Sequence, residues 1–241
     1  MALPTLTVPT FDVLVPSTNK TIKCRPFLVK EEKILLMALE SADENESVNA
    51  VKQILNNCIV DLKQHEIENF AIFDLEYIFL KIRSRSKGEK VQINYKGIED
   101  AECEECRKTK TYTIDLNKVE IIKDPDHALK IPITDDIGVM MRYPAFSLVE
   151  KLDKGTETEI MFDLVKTCIE SIYDKENVYL IKDYSAEDTE KFIESLTSEQ
   201  LERIFKFFLT MPRIEYVLDL GCEKCGRKEV QVLTGLNRFF Q

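Results

Sequence analysis

The chain has 241 residues, 44% apolar and 32% charged, enough to bury a full core as one large domain or two small ones. A formal net charge of −10 argues against a general nucleic-acid binder, because phosphate recognition needs a basic face that overcomes such a field. No apolar run approaches the roughly 20 residues needed to cross a bilayer, and the opening Met1-Ala-Leu-Pro-Thr5 lacks the basic start and apolar stretch of a secretory signal.

Residues 10 to 27 read as a hairpin: Phe11-Asp-Val-Leu-Val15 and Thr21-Ile-Lys-Cys24 alternate, and Pro16-Ser-Thr-Asn-Lys20 supplies turn residues between them. From Val29 the period becomes helical, with Ile34, Leu35, Ala38 and Leu39 on one face and Glu31 and Glu32 in the first turn, where the dipole favours acids. A second helix is expected over 48 to 62 and a third over 72 to 83. The third carries Ile72, Leu75, Tyr77, Ile78, Phe79 and Ile82 around most of its circumference, which places it in the core.

After Gly88 the period switches to two in Val91-Gln-Ile-Asn-Tyr95, followed by Cys103-Glu-Glu-Cys106 and then Thr109-Lys-Thr-Tyr-Thr-Ile114. Residues 119 to 143 mix short extended pieces with turn signals at Asp124-Pro125 and Asp135-Asp-Ile-Gly138, and helical pattern returns over 146 to 152 and 157 to 173. Ser185 and Thr197 each precede an acidic or amide side chain three residues on, the signature of a capped helix start. The second of these helices ends before Pro212. Beyond it, Ile214-Glu-Tyr-Val-Leu-Asp-Leu220, Cys222-Glu-Lys-Cys225 and Glu229-Val-Gln-Val-Leu233 repeat the order strand, knuckle, strand. Each knuckle hairpin thus follows an apolar helix, 72 to 83 or 199 to 209, a topological repeat too far apart in sequence for a tandem array.

In the cytosol, where this chain is expected to stay, thiols are reduced, so the seven cysteines are not a disulfide framework. Zinc takes four soft or borderline ligands in a tetrahedron, and each Cys-x-x-Cys turn delivers two thiolates to one side of it. Cys103, Cys106, Cys222 and Cys225 are therefore the candidate ligands of one structural Zn2+. The usual ribbon spaces its knuckles by roughly 15 to 20 residues, far closer than here. Closing so long a loop removes about 4 to 5 kcal/mol of chain entropy, whereas zinc on cysteine-rich sites contributes about 10 to 16 kcal/mol, so the metal term wins. Arg107, Lys224, Arg227 and Lys228 stand beside the ligands to offset the charge of four thiolates. The rival redox reading expects the pair to begin a helix after a strand, and β-pattern follows both knuckles. Cys24, Cys58 and Cys168 lie in apolar settings and read as small buried side chains.

Catalytic chemistry has little support. His65-Glu-Ile-Glu-Asn69 starts like the zinc-peptidase helix but places Asn69 where the second histidine must bind. His127, the other histidine, has no nucleophile partner in a motif, and its expected role is surface or turn hydrogen bonding. Four cysteine ligands would also leave no open coordination position. The basic stretch Lys81-Ile-Arg-Ser-Arg-Ser-Lys87 fits a helix C-terminus, where cations oppose the dipole, better than a docking site. Ile98-Glu-Asp-Ala-Glu-Cys-Glu-Glu105 is an acidic approach to the first knuckle, read as a solvated face with steering of a basic partner as the alternative. The opening segment, with Leu3, Leu6, Val8, Pro4 and Pro9, suits an extended arm, and Gly235-Leu-Asn-Arg-Phe-Phe-Gln241 carries paired aromatics; each either packs on a neighbour or folds back.

Two blocks carry a family resemblance. Pro9-Thr-Phe, Val15-Pro-Ser-Thr and Arg25-Pro-Phe-Leu-Val-Lys-Glu-Glu-Lys-Ile-Leu-Leu-Met-Ala38 resemble the opening of the baseplate hub assembly proteins of T4-type contractile-tailed bacteriophages. Phe73-Asp-Leu-Glu-Tyr-Ile-Phe-Leu-Lys-Ile-Arg-Ser-Arg-Ser-Lys-Gly-Glu89 is similar to a second block of that family, with weaker likeness through Ile137-Gly-Val-Met-Met-Arg-Tyr-Pro144. The resemblance implies a non-enzymatic hub subunit or assembly chaperone, with other hub and tail proteins as partners. Its place would be the host bacterial cytoplasm during assembly, or the virion tail baseplate. It implies no catalytic residues. The fold expected is α+β: a single compact domain over 1 to 241, with an N-terminal arm and hairpin (1 to 27), a helical core and a small antiparallel sheet. A zinc ribbon would be built from two distant pieces, 89 to 115 and 213 to 234.

Overall fold

The alternating first segments pair as expected. In the computed structural model, which describes residues 6–41, 44–62, 66–98, 101–148 and 156–236, β1 (Phe11–Leu14) runs antiparallel to β2 (Thr21–Cys24), with Phe11 opposite Cys24 and Leu14 opposite Thr21. The chain continues through α1 (Val29–Glu40), α2 (Glu44–Cys58), α3 (Ile72–Lys87), β3 (Lys90–Tyr95), the one-turn α4 (Glu104–Arg107), β4 (Lys110–Asp115) and β5 (Glu120–Ile122). Then come β6 (Lys130–Pro132), β7 (Gly138–Met141), α5 (Glu157–Cys168), β8 (Ile169–Tyr173) and β9 (Val178–Leu180). Last are α6 (Ala186–Glu194), α7 (Ser198–Thr210), β10 (Arg213–Asp219) and β11 (Val230–Thr234). The mixture is α+β. In place of one small antiparallel sheet, the described residues form four separate ones: β1-β2, β3-β4, β11-β10-β5 and β6-β7-β8-β9.

Backbone contacts divide the chain into two units. The first takes the chain up to Ile67, Phe73–Ile122 and everything from Arg213; the second takes Glu68–Ile72 and Lys123–Pro212. In the first unit α3 is the central element: Phe73, Leu75, Ile78, Phe79, Leu80 and Ile82 are all buried, as its nearly all-round apolar pattern requires. Leu80 packs with Val91 and Ile93 of β3, Ile114 of β4, Ile214 and Leu218 of β10 and Leu233 of β11, so both knuckle hairpins grow from one core. α3 also anchors the first turn, since the Ser17 N–H and hydroxyl both donate to the buried carboxylate of Asp74.

Several elements depart from the sequence expectation. α2 ends at Cys58 instead of 62, because the chain then turns extended along β2: Arg25 N donates to the Cys58 carbonyl and Val60 N to the Lys23 carbonyl, both at 2.8 Å. α3 runs on to Lys87, and its basic end is used internally. Lys87 pairs with Glu32, Arg85 lies over the Phe11 ring and Lys81 over the Tyr77 ring. The helix expected over 157 to 173 stops at Cys168, and Ile169–Tyr173 becomes β8. Ile169 and Ser171 of β8 are buried while Glu170 is exposed, and Arg142 N donates to the Cys168 carbonyl, so pairing with β7 overrides the helical pattern.

In the second unit, Val139 and Met141 of β7, Val165 and Cys168 of α5, Ile169 of β8, Ile193 of α6 and Ile204 and Phe207 of α7 form the core. The expected starts of α6 and α7 form: Ser185 Oγ accepts from Asp188 N at 3.1 Å and Thr197 Oγ1 from Gln200 N at 3.3 Å. Thr156 and Glu159 make the same box at α5, a signature legible at that spacing that the sequence reading did not use. His127 is a packed node instead of a surface hydrogen bonder. Its Nδ1 lies 3.0 Å from Thr210 Oγ1, its Nε2 3.1 Å from Tyr143 Oη, and its ring stacks against Tyr143. Met1–Thr5, His65, Glu99, Asp100, positions 149 to 152 and the end from Asn237 lie outside the described residues.

Candidate metal centre

Each knuckle is shaped by backbone geometry before its cysteines meet. After β3 the chain doubles back, and Ile98 N donates to the Cys106 carbonyl at 2.9 Å. This return leaves no room at Gly97, where a Cβ would sit 2.1 Å from the Arg107 carbonyl oxygen. Cys103 stands in extended conformation at the start of α4, whose single turn brings Cys106 N to the Cys103 carbonyl at 3.0 Å. The knuckle itself winds into this helical turn, because the amides of Glu105 and Cys106 wrap toward the Cys103 sulfur, and the expected strand follows it as β4. At the tip of β10 and β11, Cys222 N donates to the Arg227 carbonyl and Gly226 N to the Cys222 carbonyl, both at 2.8 Å. Gly226 has φ 74, a conformation glycine adopts without steric cost.

The two turns converge. Cys103 Sγ lies 4.0 Å from Cys222 Sγ, Cys106 Sγ lies 3.7 Å from Cys225 Sγ, and all four sulfurs fall within 4.8 Å of one another. With Zn–S bonds of about 2.3 Å, a tetrahedron has sulfur–sulfur edges of about 3.8 Å, so the donor set and its spacing fit a four-thiolate ion. All four residues singled out by spacing are brought together across a sequence separation of 119. Cys106 and Cys222 are buried, Cys103 half-buried and Cys225 exposed.

The electrostatics favour thiolates at two positions and leave charge to be balanced. The Cys225 and Lys224 amides point at Cys222 and pull its thiol down to about 6, and the Cys106 amide pulls Cys103 down in the same way. Cys106 is pushed up to about 12, by burial first and then by its three sulfur neighbours. Four thiolates at this spacing cannot all hold charge without a cation among them. Of the expected neutralising residues, Lys224 acts on Glu105 of the other knuckle, and Arg227 pairs with Glu229 at 2.7 Å while its Nε is buried without a hydrogen-bond partner. Lys108, which sequence reading passed over, pairs with Glu105 at 3.1 Å, and its three-residue spacing from that acid was the available signal. Cys24, Cys58 and Cys168 are buried as expected, and burial pushes each thiol up to about 12.

The family model described as T4 bacteriophage base plate protein matches residues 8–241. The chain belongs to that family. The match spans both resembling blocks and both knuckles. Base plate proteins of this family are structural in nature, so the chain has a structural or assembly role in the phage base plate, among other tail proteins. No curated protein and no solved structure matches the chain. Among the described residues no helix is long and apolar enough to cross a membrane.

Proposed function

We propose that this base plate protein is a hub subunit, non-enzymatic, whose first unit is clasped by one structural zinc ion held by Cys103, Cys106, Cys222 and Cys225. The observation that carries the proposal is the meeting of four sulfurs from two distant knuckles in a chain of this family. Bound zinc supplies a tetrahedral, redox-inert crosslink with no open position for substrate. The chain's own residues do the rest. The amides of Glu105, Cys106, Lys224 and Cys225 orient and charge the first sulfur of each knuckle, and the β3-β4 and β10-β11 hairpins carry the knuckles from the shared core around Leu80.

The clasp ties a mid-chain hairpin to the C-terminal one, so the second unit, inserted between them, departs from and returns to a fixed frame. A rigid frame is what a subunit that holds other proteins in a symmetric assembly requires. Assembly in the host cytoplasm followed by retention in the tail baseplate is the sequence of events this reading expects. Quantitative mass spectrometry of purified virions tests it: the chain at fixed stoichiometry with tail proteins is the expected result. Abundance in infected cells with absence from virions would replace the hub subunit with a transient assembly chaperone.

A further inference from the structure

The second unit contains a cleft of about 460 Å3 whose lining includes Tyr173, Tyr179, Tyr184, Phe192, Asp174 and Asp188. Four aromatic rings around one opening is an unusual concentration in a chain that is 9% aromatic. The volume lies within the range of small-ligand sites. No lysine or arginine is among the residues that line it; Lys191, three residues on from Asp188, acts on that carboxylate from outside the lining.

Both carboxylates are held ionised. Asp174 accepts from the amides of Glu176 and Asn177 and from the Tyr179 hydroxyl at 2.8 Å; Asp188 accepts from the Ser185 hydroxyl and amide and feels the Lys191 charge; each lies below the usual carboxylate range for these reasons. Because the Tyr179 hydroxyl donates to a carboxylate, its ring gains electron density, which strengthens the negative ring face that attracts a cation. Tyr184 meets Tyr179 edge-on at 6.3 Å and is 49% exposed, leaving a ring available at the mouth. The unit already shows the preference: Lys130 Nζ lies 4.5 Å from the centroid of the Tyr173 ring. Val178 and Leu180 of the edge strand β9 are exposed nearby in the chain, giving a protein partner apolar surface beside the charged site.

We propose that this cleft receives a basic side chain, arginine or lysine, presented by a protein partner, with the Tyr179 and Tyr184 rings and the Asp174 and Asp188 carboxylates recognising the cation. That the partner is a tail protein rests on the base plate reading above; the cation chemistry does not. Ring faces and carboxylates together discriminate charge from shape, so a neutral analogue of equal size binds more weakly.

The first test titrates the full chain with N-acetyl-arginine amide and, separately, with its neutral isostere N-acetyl-citrulline amide, observed by NMR of labelled tyrosine and phenylalanine rings. Saturable shifts at the cleft rings are expected for arginine, with citrulline about tenfold weaker. Tyr184→Ala should weaken arginine binding by about tenfold without moving the melting temperature, and Tyr184→Phe should retain it. Equal binding of the two probes, or arginine shifts indifferent to Tyr184→Ala, overturns the proposal. The second test places a photo-crosslinking phenylalanine at position 184 in infected cells. Adducts on partner segments containing an exposed arginine or lysine support the cleft, and adducts confined to segments with no basic residue overturn it. A basic segment from a protein outside the tail would uphold the cleft and count against the hub assignment.

Discussion

Gly97 packs directly against the backbone of Arg107, so closely that an added Cβ would lie 2.1 Å from the Arg107 carbonyl oxygen. This contact, with the Ile98 to Cys106 hydrogen bond beside it, fixes where the first knuckle folds back and therefore where Cys103 and Cys106 present their sulfurs. A backbone oxygen cannot move aside as a flexible side chain would. Gly97→Ala is expected to destabilise the chain by about 1 to 3 kcal/mol and to weaken metal retention together with it. Thermal melts and metal content of the purified variant check this; unchanged values for both would show that the knuckle tolerates a wider return.

Glu76 offers a pH test in the same unit. Its carboxyl is pushed up to about 7 by burial, partly offset by the Leu236 amide that donates to it at 3.3 Å. A carboxyl whose folded value exceeds its unfolded one favours the protonated fold, so its unfavourable contribution grows as pH rises from about 4.5 to about 7. Below that window both states are protonated and the contribution vanishes. Glu76→Gln removes the titration while keeping an acceptor for Leu236. Stability at pH 8 should therefore rise by about 1 to 3 kcal/mol and remain nearly unchanged at pH 4, as read from denaturant midpoints. A variant equally altered at both pH values would mean that the effect is packing and not charge.

His127 moves stability in the acid direction. Burial holds its imidazole below the usual value of 6.5, so the unfolded chain takes up the proton first. Stability from this site is fully present above about 6.5 and falls as pH drops from there toward the depressed folded value. His127→Gln should flatten that part of the stability profile. Its persistence in the variant would move the cause to another group.

Removing the metal tests both the clasp and the domain organisation. Cys222→Ser opens the proposed ligand shell and should lower stability by several kcal/mol, the order expected for losing a crosslink over so long a loop. The single domain proposed from sequence adds a condition: calorimetry should show one cooperative transition that moves as a whole on chelation. Two transitions, of which only one moves, would instead make the inserted unit from Lys123 to Pro212 a separate folding domain.

The cysteine cluster was legible because Cys-x-x-Cys between alternating segments carries a specific chemical demand, and two such pairs satisfy each other wherever the fold brings them. Ser185 and Thr197 were legible because capping is local. What escaped the sequence was set at long range. Ile169–Tyr173 reads as the tail of a helix until Met141 and Val139 are available to pair with it. Ile121 of β5 finds Ile214 across 93 positions, and no local pattern names that partner. The aromatic cleft escaped for the same reason, since Tyr173 at the end of β8, Tyr184 in the connection between β9 and α6, and Asp188 in α6 converge only when the sheet and α6 are in place.

The central claim is that two distant knuckles hold one ion. Metal analysis of gently purified full-length chain by inductively coupled plasma mass spectrometry, with protein quantified in the same sample, tests it most directly. The account predicts about one zinc per chain in the wild type and loss of that zinc from both Cys106→Ser and Cys225→Ser, since each knuckle supplies half of one tetrahedron. No zinc in the wild type, or a full complement retained after disabling either knuckle alone, would contradict it.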